Sequence, residues 1–339
     1  RIVNCMLLKN YIKCIYCKSK NLKKEKNQYL KENFYTNSIK SDLKISKHIW
    51  NKIKSYKCQR CKIIQNSPWF TESTSRKIYS NIYGQHNRSW TNLIKFLNRG
   101  VVPNHGSLYE ILNKKIKIKN YAEFNSPFMG LMLNLFKDEY KENNLFYKNI
   151  FSNTINYLTS RQVAGKNKYY QRLSSGIAKK YLKKCDNLKK KNLIKKTKNK
   201  YLFLDNSSLC WGQNDNYKSV NSKSFASELL DLKILDLDKN NESIKFDLFG
   251  IFHTLDHTFE PSKVLNFALN NSKYVIIYCH IDEQIEEQHL FSLSKEFLSF
   301  LNKKKIYTLD LTNKINKQFS SPELYFLCSK KKQLLNKFK

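Results

Sequence analysis

The stretch Phe246–Cys279, FDLFGIFHTLDHTFEPSKVLNFALNNSKYVIIYC, decides the fold. Its first run, Phe246-Asp247-Leu248-Phe249-Gly250-Ile251-Phe252, has the length and apolar density of a strand buried on both faces. The chain then turns polar at His253-Thr254-Leu255-Asp256-His257. Glu260-Pro261 marks a helix start, because the N–H that proline lacks is one a first turn leaves unpaired. Val264, Leu265, Phe267, Ala268 and Leu269 recur at helical spacing, and after Asn270-Asn271-Ser272 the run Tyr274-Val275-Ile276-Ile277-Tyr278 reads as a second buried strand. Strand, helix and strand with short loops form a βαβ unit, whose crossover is right-handed in a parallel sheet. Ligands of such sheets sit beyond the carboxyl ends of the strands. Both strands end in chemically capable residues, His253 to His257 after the first and Cys279-His280 after the second.

This stretch resembles the class I S-adenosylmethionine-dependent methyltransferases. In many of them the fourth strand reads Phe-Asp followed by apolar residues, a His-x-Leu-acid-His turn and a proline-started helix. Phe246-Asp247-Leu248, His253-Thr254-Leu255-Asp256-His257 and Pro261 match in order and spacing. Further on, His289-Leu290-Phe291-Ser292-Leu293-Ser294 and Phe297-Leu298, Phe300-Leu301 look like the family's turn and last helix. Ile306-Tyr307-Thr308-Leu309 and Leu324-Tyr325-Phe326-Leu327 look like its final antiparallel strands. The resemblance spans residues 200–330 and implies an α/β, Rossmann-like class I methyltransferase sheet there.

On that resemblance the sheet begins at Tyr201-Leu202-Phe203-Leu204-Asp205, and the loop Asn206–Asn214 takes the cofactor. The family's turn is glycine-rich, since glycine lets backbone N–H groups approach the ligand closely. Here Gly212 is the loop's one glycine, with Leu209 and Trp211 beside it. Leu232–Asp238 is the next strand. The resemblance allows Asp236 to take either the ribose hydroxyls or the adenine amine, and the ribose role is favoured because the helix-like Ser222–Leu230 precedes it. Only about ten residues lie between Asp236 and Phe246, so one helix–strand unit of the family is missing on this reading. The implied cofactor contacts are Asp205, Trp211, Gly212 and Asp236. His253, His257 and His280 are the general-base candidates, because a base must come within hydrogen-bond reach of the proton it removes. His253 and His257 straddle a turn rather than one helix face, which argues against a metal pair, and His280 and His289 flank the acidic loop Asp282–Glu287.

Nearer the N-terminus, Cys14-Ile15-Tyr16-Cys17 and Cys58-Gln59-Arg60-Cys61 form two Cys-x-x-Cys knuckles. Four soft thiolates suit one tetrahedral zinc ion, and with no open fourth position the metal is expected to be structural. Two disulfides or free thiols are the alternative, disfavoured by paired spacing and a reducing cytosol. With Ile63-Ile64-Gln65-Asn66-Ser67-Pro68, Tyr79 and Tyr83 behind it, the second knuckle is similar to the zinc-ribbon module preceding many bacterial sugar C-methyltransferases. Lys18 and Lys62 stand where that module usually has glycine.

The expected organisation is a zinc ribbon over 10–85, a helical insert or cap with linker over 86–199, and the sheet over 200–330. Within the insert, Ser107–Leu112, Met132–Phe136 and Ile150–Leu158 carry helical patterns, continued at Arg161-Gln162 and Tyr169–Arg172. Tyr121-Ala122-Glu123-Phe124-Asn125-Ser126-Pro127-Phe128-Met129-Gly130 mixes aromatics, a carboxylate and an amide, and reads either as pocket lining or as a packed aromatic loop.

At 339 residues, 41% hydrophobic and 14% aromatic, the chain is long and apolar enough for more than one domain with a sizeable core. No apolar run reaches the length of a membrane span, and Ile2–Leu8 is too short for a signal peptide, so a cytoplasmic protein is expected. The first residue is Arg1 rather than methionine, consistent with a short preceding piece. A net charge of +35 invites a nucleic-acid reading. The charge is uneven, however: residues 225–300 hold 13 acids against 6 lysines, and the densest run, Lys183–Lys200, has few apolar residues between its lysines and reads as a solvated face or linker. Nucleic acid is therefore not the expected partner. The expected activity is methyl transfer from S-adenosylmethionine to a small acceptor such as a nucleotide sugar or glycan precursor, in bacterial sugar or cell-surface glycan biosynthesis. A catalytically degraded scaffold and a zinc-ribbon RNA-binding protein are the alternatives.

Overall fold

The computed structural model of the chain describes residues 7–25, 51–72, 74–75, 105–124, 131, 200–205, 233–236, 245–252, 254–281, 289–315 and 323–338. The N-terminal part contributes β1 (Leu8–Lys9), β2 (Leu22–Lys24), β3 (Lys54–Cys58), β4 (Ile64–Ser67) and β5 (Trp69–Phe70). After α1 (His105–Asn113) come β6 (Asn120–Phe124), β7 (Lys200–Asp205), β8 (Lys233–Asp236), β9 (Phe246–Phe252), α2 (Pro261–Asn271) and β10 (Ser272–His280). Then follow β11 (Phe291–Ser292), α3 (Lys295–Lys303), β12 (Tyr307–Asp310), β13 (Glu323–Ser329) and α4 (Lys332–Asn336). The remaining helical patterns of the insert, the lysine run before Lys200, the acidic loop, Trp211, Gly212 and His253 lie outside the described residues.

The protein is α/β, with a mixed seven-stranded sheet in the order β12-β13-β10-β9-β6-β7-β8. β8, β7, β6, β9 and β10 run parallel, while β13 is antiparallel to both β10 and β12. The βαβ unit behaves as its residues dictate. Pro261 occupies the first turn of α2, and Val264, Leu265, Ala268 and Leu269 form its buried face. Every residue of β9 except Asp247 is buried, which is why the run shows no polar alternation.

The centre of the sheet differs from the sequence reading. Asn120–Phe124, inside the segment expected to be helical insert, is the strand between β7 and β9. Lys200–Asp205 is therefore not the first strand but the next one out, and Lys233–Asp236 lies at the edge. The sheet thus takes a strand from before residue 200, and residue 200 does not divide sheet from insert.

The physical reason is that β6 has a poor strand signature. It is short, it carries a glutamate, a type depleted in strands, and both of its faces are covered, so Tyr121, Ala122, Glu123 and Phe124 are all buried. Gly250 makes the arrangement possible. Opposite Glu123 in register, a Cβ at this position would lie 2.5 Å from Tyr121 Oη and 3.0 Å from Glu123 Cγ. At the other end Asp247 anchors the strand: Lys119 N and Asn120 N donate to its Oδ2 at 3.0 and 3.1 Å, and Lys273 Nζ donates to Oδ1 at 2.8 Å.

The N-terminal strands and one face of the large sheet share a core. Ile15, Tyr16, Ile63, Trp69 and Phe70 belong to the same buried cluster as Phe249, Ile251, Leu265, Phe297 and Leu301. The Tyr16 ring meets Phe297 edge-on, centroids 4.9 Å apart. β11, which follows β10 in sequence, belongs to the smaller sheet, in the order β11-β4-β3-β2. Among the described residues no helix is long and apolar enough to cross a membrane.

Candidate functional site

Cys14, Cys17, Cys58 and Cys61 come together as the spacing predicts, with sulfur atoms all within 4.8 Å of one another. Each knuckle is closed by the same two backbone bonds. Cys14 N donates to Ser19 O and Lys18 N to Cys14 O, while Cys58 N donates to Ile63 O and Lys62 N to Cys58 O. The turn needs a left-handed residue at its end, and Lys18 and Lys62 take that conformation with φ of 59° and 66°. They do so at a cost that glycine would not carry.

The donor set fits a tetrahedral metal. Sulfurs about 2.3 Å from a zinc ion stand about 3.8 Å apart at tetrahedral angles, and here Cys14–Cys61 and Cys17–Cys58 are 3.4 and 3.5 Å apart. No disulfide joins them. The hydrogen bond with Cys61 pulls the Cys14 thiol down to about 5 against the effect of burial, while burial pushes Cys17 up to about 11. A bound cation would deprotonate all four. The four cysteines can thus hold a metal such as zinc.

Gln65 and Asn66, consecutive on β4, serve two different neighbours. The buried Gln65 accepts from Ile15 N at 2.8 Å and donates to Tyr11 O and Lys13 O at 3.2 and 3.1 Å, clamping the first knuckle. Asn66, also buried, donates from Nδ2 to His289 O at 3.2 Å and accepts from Ser55 Oγ at 2.9 Å.

The second chemical centre is the carboxyl edge of the sheet. The chain changes direction between β6 and β9, which lie side by side although β7 and β8 intervene in sequence. Thr254 Oγ1 donates to Phe124 O at 3.2 Å and ties the two strand ends together. Asp205 and Asp236 end β7 and β8 as register partners, so the two acids named from the sequence share this edge. His257 lies in the single 3-10 turn Leu255–His257 that follows β9, and His280 ends β10 opposite Glu323.

Sequence reasoning passed over the best-defined histidine. His289, buried in the segment before β11, places Nε2 3.7 Å from Oδ2 of Asp256, which is only 1% exposed. The available signal was modest: an acid after β9 and a histidine after β10 belong to loops that leave the same edge of a parallel sheet. Cys279 lies close enough for the charge of Asp256 to act on it. Burial first, and that charge second, push its thiol well above the usual range, so it is held as an unreactive thiol. On β10 and β13, Tyr278 donates to Glu323 Oε1 at 2.6 Å and its ring stacks on Tyr325, centroids 4.2 Å apart.

No protein-family model and no curated protein matches the chain.

Proposed function

We propose that the chain is an S-adenosylmethionine-dependent methyltransferase whose cofactor lies across the carboxyl edge of the mixed sheet, with a structural zinc ion in the four-cysteine centre. The observation that carries this reading is the strand order. Numbered in sequence order from β6, the parallel strands run 3-2-1-4-5 from β8 to β10, an order shared with doubly wound dinucleotide-binding sheets, whose ligands sit where the chain reverses. The antiparallel pair β12 and β13 agrees with the two final strands that the resemblance implies.

This order reassigns the expected contacts. The segment that follows the first strand in sequence is Asn125-Ser126-Pro127-Phe128-Met129-Gly130 rather than Asn206–Asn214, and both lie outside the described residues. Asp205 ends the second strand, where such sheets carry the acid that binds ribose hydroxyls. Asp236 ends the third strand, where the resemblance puts the contact to the adenine amine. Trp211 and Gly212 then follow the ribose acid in sequence rather than the first strand.

The bound cofactor supplies a methyl group on a sulfonium, open to in-line attack by an acceptor oxygen, nitrogen or carbanion. The chain contributes alignment of the acceptor and exclusion of water. His289, whose Nε2 stands 3.7 Å from Asp256 Oδ2, joins His253, His257 and His280 as a general-base candidate. The acceptor class is a small sugar or glycan precursor, from the resemblance of ribbon and sheet together.

Calorimetry with S-adenosylhomocysteine tests the reading. Wild type should bind, and Asp205→Asn should weaken binding roughly 10- to 150-fold, the worth of a hydrogen bond to a charged group. Asp236→Asn should weaken it less. No heat at millimolar ligand would remove the methyltransferase reading in favour of a scaffold.

A further inference from the structure

We infer that Asn66 is a positioning residue that ties the four-cysteine centre to the buried His289–Asp256 pair, so that metal occupancy sets how His289 is held at the sheet edge. The inference rests on the four cysteines holding a metal and is independent of methyl transfer.

Three connections fix residues 289–294 to the second knuckle. Asn66 donates twice, from its backbone N to Leu290 O at 3.0 Å and from Nδ2 to His289 O at 3.2 Å. β11 pairs with β4 in the register Phe291↔Gln65 and Ser292↔Ile64. Ser294 Oγ donates at 3.0 Å to the carbonyl of Lys62, the residue immediately after Cys61.

Among these, the Asn66 side chain acts on the histidine itself. It grips the main chain of His289, while that residue's imidazole faces Asp256 in the turn after β9. An amide suits the task because it donates and accepts at once: Oδ1 takes the Ser55 hydroxyl, which orients the NH2 toward His289 O. With the neighbouring Gln65 holding the first knuckle at Ile15, Tyr11 and Lys13, β4 touches both knuckles and the sheet edge.

The consequence follows from how knuckles are stabilised. Turns closed by two backbone bonds over six residues have little stability of their own, and the metal supplies their folding free energy. Losing the metal loosens β4, and with it the grip on His289.

The test is site-resolved modification of histidines by diethylpyrocarbonate, read by mass spectrometry on the full chain with zinc content measured in parallel. In zinc-loaded wild type His289 should react slowly. Chelation should raise its rate by about tenfold or more, and Asn66→Ala that still carries its zinc should raise it about tenfold, the equilibrium worth of one lost hydrogen bond. Ser55→Ala should move it the same way by less. Amide exchange of β13 serves as the control, since general loosening of the fold would speed it as well. Two results would overturn the inference: His289 as protected in zinc-bearing Asn66→Ala as in wild type, or its exposure only together with faster exchange in β13. Should Asn66→Ala not fold, the decision passes to Ser55→Ala, and there an unchanged rate overturns the inference.

Discussion

In the four-cysteine centre the closing contacts are short in sequence: Cys14 N reaches Ser19 O, Lys18 N reaches Cys14 O, and the pattern repeats from Cys58 to Ile63 and Lys62. At the carboxyl edge of the sheet they are long. Thr254 bonds to a carbonyl 130 residues away, and Asn66 reaches one 223 residues away. The two regions therefore draw stability from different sources. The knuckles are short turns packed on the core, and their closure depends on four sulfurs converging on one point. The edge is held by strands whose burial spans the whole core, so its polar groups are placed by packing rather than by local turns. A change at the sulfurs should remove one region outright, whereas a change at the edge should be absorbed in proportion to the contact it removes.

The largest expected effect follows from removing a ligand. Cys58→Ser should abolish zinc binding, measured as loss of about one equivalent by elemental analysis, and should melt the N-terminal strands, since a structural zinc site contributes on the order of 10 kcal/mol. Zinc retained at full content by this variant would break the contrast.

Gly250→Ala probes the other region. The added methyl meets Tyr121 and Phe252 within 2.6 Å, so urea denaturation should show a loss of about 1–3 kcal/mol, with zinc content unchanged. A loss of zinc in this variant would mean that the two regions do not depend on separate sources of stability.

Asp247 offers a pH test at the amino end of the sheet. Burial raises its carboxyl, but the hydrogen bonds from Lys273 and from the amides of Asn120 and Lys119 more than offset this, leaving it below its ordinary value. A carboxylate depressed in the folded state stabilises the fold above its unfolded value near 3.9, and that contribution is lost as pH falls through the lower folded value. Stability should thus decline below about pH 4, and Asp247→Asn should flatten that decline in acid denaturation curves. An unchanged acid limb would show that Asp247 does not report on the β6 junction.

The smallest effect is a gain. Lys62→Gly relieves a left-handed side chain worth about 1–2 kcal/mol but adds unfolded-state entropy of about 0.5–1 kcal/mol, so a net stabilisation of about 0.5 kcal/mol is expected in thermal melts of the zinc-loaded protein. A loss instead would show that the lysine has a contact that outweighs its strain.

Several parts of the molecule were legible in its residues. The two Cys-x-x-Cys pairs led directly to the sulfur cluster. Pro261 and the apolar runs on either side of α2 led to two parallel strands with their connecting helix. The central strand was not legible, and its loss moved Asp205 and Asp236 one place inward in the reading. The buried partner of Asp256 went unrecognised for a related reason: His289 stands between an acidic loop and the apolar run Leu290-Phe291 in sequence, and only the fold shows which side it joins.

By itself, then, the sequence determined those features whose physics closes within about one turn of helix or one loop: the thiolate spacing, the proline-started helix and the runs apolar enough to be buried on both faces. Tertiary structure alone decided which strand sits at the centre and which acids and histidines meet. Parallel strands are paired across long connections, and the burial of Glu123 depends on Gly250, 127 positions further along the chain, having no side chain. The space for a polar residue in a sheet core is made by its neighbour across the ladder, and that neighbour is known only once the strands are paired.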